Sequence, residues 1–362
     1  MTTELKNEHW QYLHNPPNTN ALFKQQEADF RVTEQLGYKP CGSGEHIYLW
    51  TRKQGLNTAY VAEQLAKYAG LPLRAVTYAG RKDKYALTEQ FFGVHLPGKK
   101  DIDWHNMSLP GFSILEATRH DKKLRTGNLK GNRFDITLRQ VQQSDELNQR
   151  LQSISEHGVP NYFGEQRFGV IRQSESGMGE QVAAIGGNLA LAQKMLSGET
   201  IRNRNKRSMA ISALRSWLFN QYVSARLSAG KWQQILPGDA MQLVGSNSFF
   251  IAAENDDALK ERLISQDIQI TAPIWGSGDL PTTALAKQYE QAIADEYHDV
   301  CECLAALGLK QERRAISLYP QDMDWQFEND TLRLQFSLPA GAFATSVLRE
   351  IVNVTGADNG GE

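Results

Sequence analysis

Gly80, Arg81, Lys82, Asp83 and Lys84 set one carboxylate among three cations. Ammonium and guanidinium groups favour an ionised carboxylate, so Asp83 is available at neutral pH as a nucleophile or base. The same cations attract a polyanion. The pentapeptide directly follows an apolar run over 73–78 that reads as a buried strand. In a strand-like turn Lys82 and Lys84 point away from Asp83, so both cannot pair with it and at least one is left for phosphate. The competing reading is a basic surface turn in which Asp83 only balances charge.

Other chemistry finds less support. Residues 93–99 match the front of a phosphate-binding loop, but Lys100 stands where Ser or Thr should hold magnesium. Gly42, Ser43, Gly44 and Gly177, Met178, Gly179 lack the third glycine of a dinucleotide fingerprint. His298 and Cys301 could share a helix face, yet Cys303 points elsewhere and no second pair has ligand spacing. No metal and no cofactor is therefore expected.

Two stretches carry the marks of RNA contact. Residues 123–134 combine Lys123, Arg125 and Lys130 with Gly127, Gly131, Asn128 and Asn132 ahead of a strand. Glycine lets backbone amides approach phosphate, and Asn can read a base edge. Residues 159–169 interleave Tyr162, Phe163 and Phe168 with Asn161, Gln166 and Arg167. Aromatic faces of this kind stack on unpaired bases. The bland readings are a tight hairpin and a packed loop.

The elements that must position these groups follow from length and pattern. With 362 residues the chain suggests two domains. No apolar run is long enough to span a membrane, and the polar N-terminus, residues 1–11, argues against a targeting peptide. Cys41, Cys301 and Cys303 are too few for a disulfide framework and suit a reducing cytoplasm. The net charge is only −2, but it is segregated. Residues 119–133 hold six Lys or Arg against Asp121 alone, and four of the six residues 202–207 are basic. Acids collect at 254–257 and 295–302. Such segregation fits a nucleic acid held on one face.

Strands are expected over 30–34, 46–51, 73–78, 90–96, 112–117 and 133–138, and a helix over 57–68 with Tyr60, Val61, Leu65 and Tyr68 on one face. Helices then dominate, over 144–157, 179–196, 206–227 and 283–307. Strands return at 315–318 and 332–338, followed by a helix over 344–352. The order suggests α+β architecture with a helical block inserted at 158–310, because the β-rich tail is too small for a core of its own.

Taken together, residues 30–34, 79–84, 88–90, 124–134, 161–169, 214–220, 313–315 and 338–350 resemble, in order, the TruD family of tRNA pseudouridine synthases. The resemblance implies a pseudouridine-synthase sheet domain, residues 1–157 and 311–362, with a mainly helical TRUD insertion over 158–310 and RNA in the cleft between them. It implies isomerisation of uridine to pseudouridine in tRNA at uridine 13, with Asp83 as the essential carboxylate. It puts Phe30 and Phe343 against a flipped base and Asn132 on its polar edge. Arg81, Lys82, Lys84 and Phe134 complete the expected substrate site. Lys122, Lys123, Arg125, Lys130 and Arg167 are expected on the RNA backbone. The expected enzyme is a cytoplasmic monomer needing no protein partner and no membrane. One alternative is an RNA-binding module or chaperone without chemistry. Another is a hydrolase working with two carboxylates, for which Glu34 or Glu89 could supply the second.

Overall fold

The computed structural model describes residues 2–6, 10–98, 101–169, 185–246, 248–253 and 257–355. Lys99, Lys100, the Gly177–Gly179 stretch, the start of the helix expected from 179 and residues 254–256 of the acidic run lie outside them.

Strict alternation builds the main sheet. In Thr331–Pro339, Leu332, Leu334, Phe336 and Leu338 are buried while their neighbours are not. This strand pairs antiparallel with the long strand Leu129–Arg139, which pairs antiparallel with Phe30–Leu36. Residues far apart in sequence thus share the centre of one sheet. Phe30–Leu36 runs parallel to Leu87–His95, which continues antiparallel to His46–Gln54 and then Phe112–His120. Gln321–Glu328 closes the other edge. Short strands Asn20–Phe23, Asn353–Thr355 and Val76–Tyr78 complete ten.

Two apolar clusters flank this sheet. Helices Asp145–His157 and Ala344–Ile351 bury Leu147, Leu151, Ile154, Val347, Leu348 and Ile351 against the central strands. Ser144 caps the first by accepting from the Leu147 N–H at 3.2 Å. Helix Thr58–Tyr68 buries Val61 and Leu65 against Ile47, Leu49, Phe92 and Val94. Tyr60 and Tyr68 do not join them, contrary to expectation. Tyr60 is a third of a turn away from the buried stripe, and Tyr68 reaches out to donate its hydroxyl proton to the Asp103 carbonyl at 2.6 Å. The apolar run at 73–78 also divides. Pro72 leads into a 3₁₀ turn over Leu73–Ala75 with Leu73 exposed, and only Val76–Tyr78 is strand.

A separate cluster gathers helices Gly187–Leu196, Arg204–Ser228, Ala284–Glu296 and His298–Ala306. The last two were expected as one helix; the chain breaks at Tyr297, whose ψ of 42° leaves the helical region. These helices pack on a four-stranded sheet, in the order Phe249–Ile251, Ala240–Leu243, Ile268–Ile274, Glu312–Ala315, which the helical expectation omitted. The N-terminal arm lies on this cluster too. Leu5 is buried in it, and the Trp217 indole N–H donates to the Lys6 carbonyl at 3.0 Å.

Gly131, read above as a phosphate-facing glycine, has a different task. A β-carbon there would collide with the Leu338 carbonyl oxygen of the adjacent strand. Gly131→Ala should therefore destabilise the fold by roughly 1–3 kcal/mol, the usual cost of overpacking. An unchanged denaturation midpoint would show that these strands part freely.

Candidate active site

Asp83 sits on a loop clamped from below. The Lys82 N–H donates to Thr58 Oγ1 at 2.9 Å. The wholly buried Lys53 ammonium donates to the carbonyls of Leu56 and Asp83, both at 2.8 Å, and of Lys82 at 3.3 Å. A buried ammonium keeps its charge cheaply only when its protons are taken up, and here three carbonyls face them. The loop backbone is thereby tied to the His46–Gln54 strand.

The Asp83 carboxylate accepts from the Tyr85 N–H at 2.9 Å through Oδ1, and from the Lys24 ammonium through Oδ2. Its side chain keeps 20% exposure, while that of Lys24 keeps 6%. Lys24 adopts a left-handed backbone, φ 58°, rare for a residue with a β-carbon. Its ammonium lies 4.6 Å from the centre of the Phe30 ring and 5.3 Å from that of Phe23. A fixed cation thus orients one carboxylate oxygen, and the carboxylate still meets solvent. Such a group can attack carbon or take a proton.

One neighbouring cation is turned away from its expected place. Lys82 was placed on substrate, but its ammonium turns into the sheet and pairs with Glu34. Glu34 also accepts from the Phe91 N–H at 2.9 Å. Burial raises the Glu34 carboxyl above its ordinary range, and Lys82 opposes that rise. Lys82 is only 7% exposed, so the side chain offers little to phosphate. Lys84 rests its ammonium 5.3 Å from the Tyr85 ring centre, and Arg81 is exposed. Neither alternative second acid stands free. Glu34 is inside, and Glu89 pairs with Arg52 at 2.7 Å.

Phe30 and Phe134 stack with centres 6.1 Å apart, and Phe23 meets Phe30 edge-on at 5.3 Å. The strand register sets Val32 opposite Phe134 and Glu34 opposite Asn132, so these side chains share one face with Phe30. Asn132 Oδ1 is buried and has no partner among the described residues. Carboxylate, cation, ring and amide are thus joined contact by contact: Asp83 to Lys24, Lys24 to Phe30, Phe30 to Phe134, with Asn132 next along that face.

Phe343 lies at the end of the same sheet, beyond Pro339. It packs edge-on against Phe163, centres 5.9 Å apart, not against Phe30. With Arg167, Gln166, Asn188, Ser208, Met209 and Ser212 it lines a cleft of about 330 Å³. Lys122, Lys123 and Arg125 are exposed on the loop after His120, and Lys130 is exposed at the start of the strand Leu129–Arg139. Leu124 anchors that loop by packing with Ala79, immediately before the Asp83 loop. Arg167, by contrast, is half-buried; it donates to Ser212 Oγ at 2.8 Å.

The pair His298 and Cys301 forms no ligand set: His298 faces Glu302 at 3.2 Å, and burial pushes the Cys301 thiol up to about 12. Among the described residues Cys41, His120 and Asp121 bring three potential ligand atoms within 4.8 Å of one another. His120 Nδ1 there already accepts from the Cys41 N–H at 3.2 Å.

The family model of tRNA pseudouridine synthase D (TruD) matches residues 8–208 and 200–351, nearly the whole chain. The chain belongs to the TruD family. Family membership makes it an enzyme, an isomerase by class. The tRNA pseudouridine synthase D of Pseudoalteromonas atlantica is 55% identical over 352 residues, covering 97% of this chain and 98% of the relative. That of Aeromonas hydrophila is 48% identical over 349 residues, 96% and 95% of the two chains. A crystal structure assigned to tRNA pseudouridine synthase D of Methanosarcina mazei superposes with a TM-score of 0.71 at 21% identity, over 95% and 96% of the two chains, and agrees with the α+β fold. Among the described residues no helix is long and apolar enough to cross a membrane.

Within this TruD chain, sequence reasoning missed Lys24, Lys53 and Arg314. Lys24 is 59 residues from Asp83, and nothing in its local pattern marks it. Lys53 lies beyond the strand expected over 46–51, and nothing in its local pattern marks it. Arg314 stood in a matched stretch without an assigned task.

Proposed function

We propose that this chain isomerises uridine to pseudouridine in tRNA, at uridine 13, with Asp83 as the acting carboxylate. The observation that carries the reading is the Asp83 side chain, held by Lys24 and the Tyr85 N–H yet open to solvent. The reaction breaks the C1′–N1 bond, turns the uracil, joins C5 to C1′, and moves the C5 proton to solvent while N1 gains one. Asp83 assists at the sugar or the base when the first bond breaks. A base within a folded tRNA must leave its stack to reach this carboxylate. Asn132 presents an acceptor without a partner among the described residues, which suits the N3–H of uracil. Phe30 and Phe343 supply apolar surfaces for the ring, and Lys122, Lys123, Arg125 and Lys130 supply charge for the backbone.

The proposal includes a discontinuous catalytic unit, residues 1–157 and 311–362, carrying 158–310 as an insertion with its own core. The pairing of Glu312–Ala315 with Ile268–Ile274 carries the inserted sheet slightly past residue 310. It also includes action in the cytoplasm as a monomer without a cofactor.

The test uses tRNA tritiated at uracil C5. Release of tritium with pseudouridine in the product supports the reading. Unchanged RNA would favour a binding module, and free uracil a hydrolase. The two Phe residues should separate under substitution. Phe343 is half-buried, so Phe343→Ala should keep the fold and lose roughly 1–3 kcal/mol of stacking in productive binding or turnover. Phe30 is 8% exposed between two rings, so Phe30→Ala should also destabilise the fold by about 3–5 kcal/mol. Equal melting temperatures for the two variants would contradict this assignment.

A further inference from the structure

Two arginines meet on one aromatic ring in the wall that carries Phe343. The Arg314 guanidinium carbon lies 4.2 Å from the Phe163 ring centre, and that of Arg167 lies 5.3 Å from the same centre. Arg167 is also 5.6 Å from the centre of Phe343. Neither arginine has a carboxylate partner among the described residues. Their protein hydrogen bonds are few and neutral: Arg167 to Ser212 Oγ at 2.8 Å, Arg314 to Asn161 Oδ1 at 2.7 Å and to the Gly341 carbonyl at 3.2 Å.

Burial lowers the pKa of both guanidinium groups, that of Arg314 to about 10, and Arg167 adds repulsion to Arg314. Two like charges held close and away from water are unfavourable unless an anion shares them. The ring faces offset only part of that cost. The same neighbourhood holds buried polar atoms with no partner among the described residues: Nε of Arg167, Nε of Arg314 and Oγ1 of Thr345. Thr345 belongs here because a β-carbon on Gly164 would strike its hydroxyl and lie 3.4 Å from the Phe343 ring. Thr345 is in the first turn of helix Ala344–Ile351, whose N-cap, Phe343, offers no side-chain acceptor. A helix start of this kind adds N–H groups and positive potential to the two guanidinium forks.

We propose that Arg167 and Arg314 form the receptor for one phosphodiester of the substrate RNA, at a linkage beside the target uridine. Phe163 is the shared platform beneath both guanidinium groups, and Thr345 supplies a hydroxyl to the phosphate. Guanidinium forks match a phosphate in two directions at once, which fixes the strand as well as binding it. The exposed cations at residues 122–130 give general attraction; this pair gives register. Phe343 touches Arg167, so seating the phosphate sets the ring beside the base. The inference rests on the proposed tRNA reaction for its choice of phosphate.

The test measures tRNA binding to the full chain across a salt series, with unmodified tRNA and with tRNAs carrying one neutral methylphosphonate at a linkage flanking the target uridine. Arg314→Gln should weaken binding of unmodified tRNA at least about tenfold and lower the salt slope by about one unit. One methylphosphonate position should weaken wild-type binding similarly and weaken the variant no further. Arg314→Lys, which keeps the charge, should recover part of the slope but not the full affinity. Arg167→Gln, with a single side-chain hydrogen bond to lose among the described residues, serves where Arg314→Gln does not fold. An unchanged salt slope in folded Arg314→Gln and Arg167→Gln, or losses that multiply with every methylphosphonate, would overturn the proposal and leave the arginines as packing groups. Tritium release by the wild type on the same unmodified tRNA separates the two readings. Release without coupling defeats this site alone, and coupling without release defeats the proposed reaction alone.

Discussion

Asp83→Asn is expected to abolish pseudouridine formation while leaving tRNA bound. The amide keeps the size of the carboxylate, and its oxygen can still accept from the Tyr85 N–H. What it loses is charge and basicity, the two properties the proposed chemistry uses. The fall in turnover should be on the order of ten-thousandfold, the scale seen when a group acting on the reacting atoms is removed. Binding should stay near that of the wild type or tighten slightly, because a negative charge has left a basic site. The substitution also deprives the buried Lys24 ammonium of its counter-ion, so the melting temperature should drop somewhat. Activity is therefore compared well below the transition of the variant. Asp83→Glu should fail as well, since moving a catalytic atom by about 1 Å costs on the order of a hundredfold. C5 tritium release at an appreciable fraction of the wild-type rate would remove Asp83 from the chemistry and return its loop to a charge-balanced turn.

Which features could be read in advance follows from how local their causes are. The central strands were legible because alternation in Thr331–Pro339 or Phe30–Leu36 is a property of a few adjacent residues. Helix Asp145–His157 falls within the helix expected over 144–157. Strands Ala240–Leu243 and Phe249–Ile251 have four and three residues, too few for a period to declare itself among helices. The break at Tyr297 has neither Gly nor Pro to mark it. At the site, the carboxylate, the two Phe residues and Asn132 stand in recognisable stretches. The cation for that carboxylate does not. Three cations beside Asp83 in sequence suggested a local partner, whereas the fold brings Lys24 from a different turn and sends Lys82 inward. Gly131 shows the same limit. Its sequence context suggested phosphate, and only strand pairing reveals that Leu338 requires it.

Lys82 provides the second large effect, on stability instead of chemistry. Its pair with Glu34 is enclosed, with side chains 7% and 0% exposed. Removing one member of such a pair leaves an isolated buried charge, so Lys82→Met should destabilise the protein by roughly 3–5 kcal/mol. Replacing both members should be much milder, and Glu34→Leu with Lys82→Met should regain most of the loss. The penalty in the single variant should depend on pH. Burial already raises the Glu34 carboxyl above 4.5, and Lys82 is the main force holding it down. Without Lys82 the folded state binds the Glu34 proton more tightly still, whereas the unfolded state keeps the ordinary value. An acid raised in this way gives its full stability below the unfolded value and loses it as pH rises through the folded one. Lys82→Met should thus lie closest to the wild type in acid and fall away towards neutral pH, as read from denaturation midpoints. Because Lys82 faces Glu34, the salt slope of tRNA binding should not change in the variant where it is folded. A slope lower by about one unit, with stability unaffected, would instead put Lys82 on a phosphate.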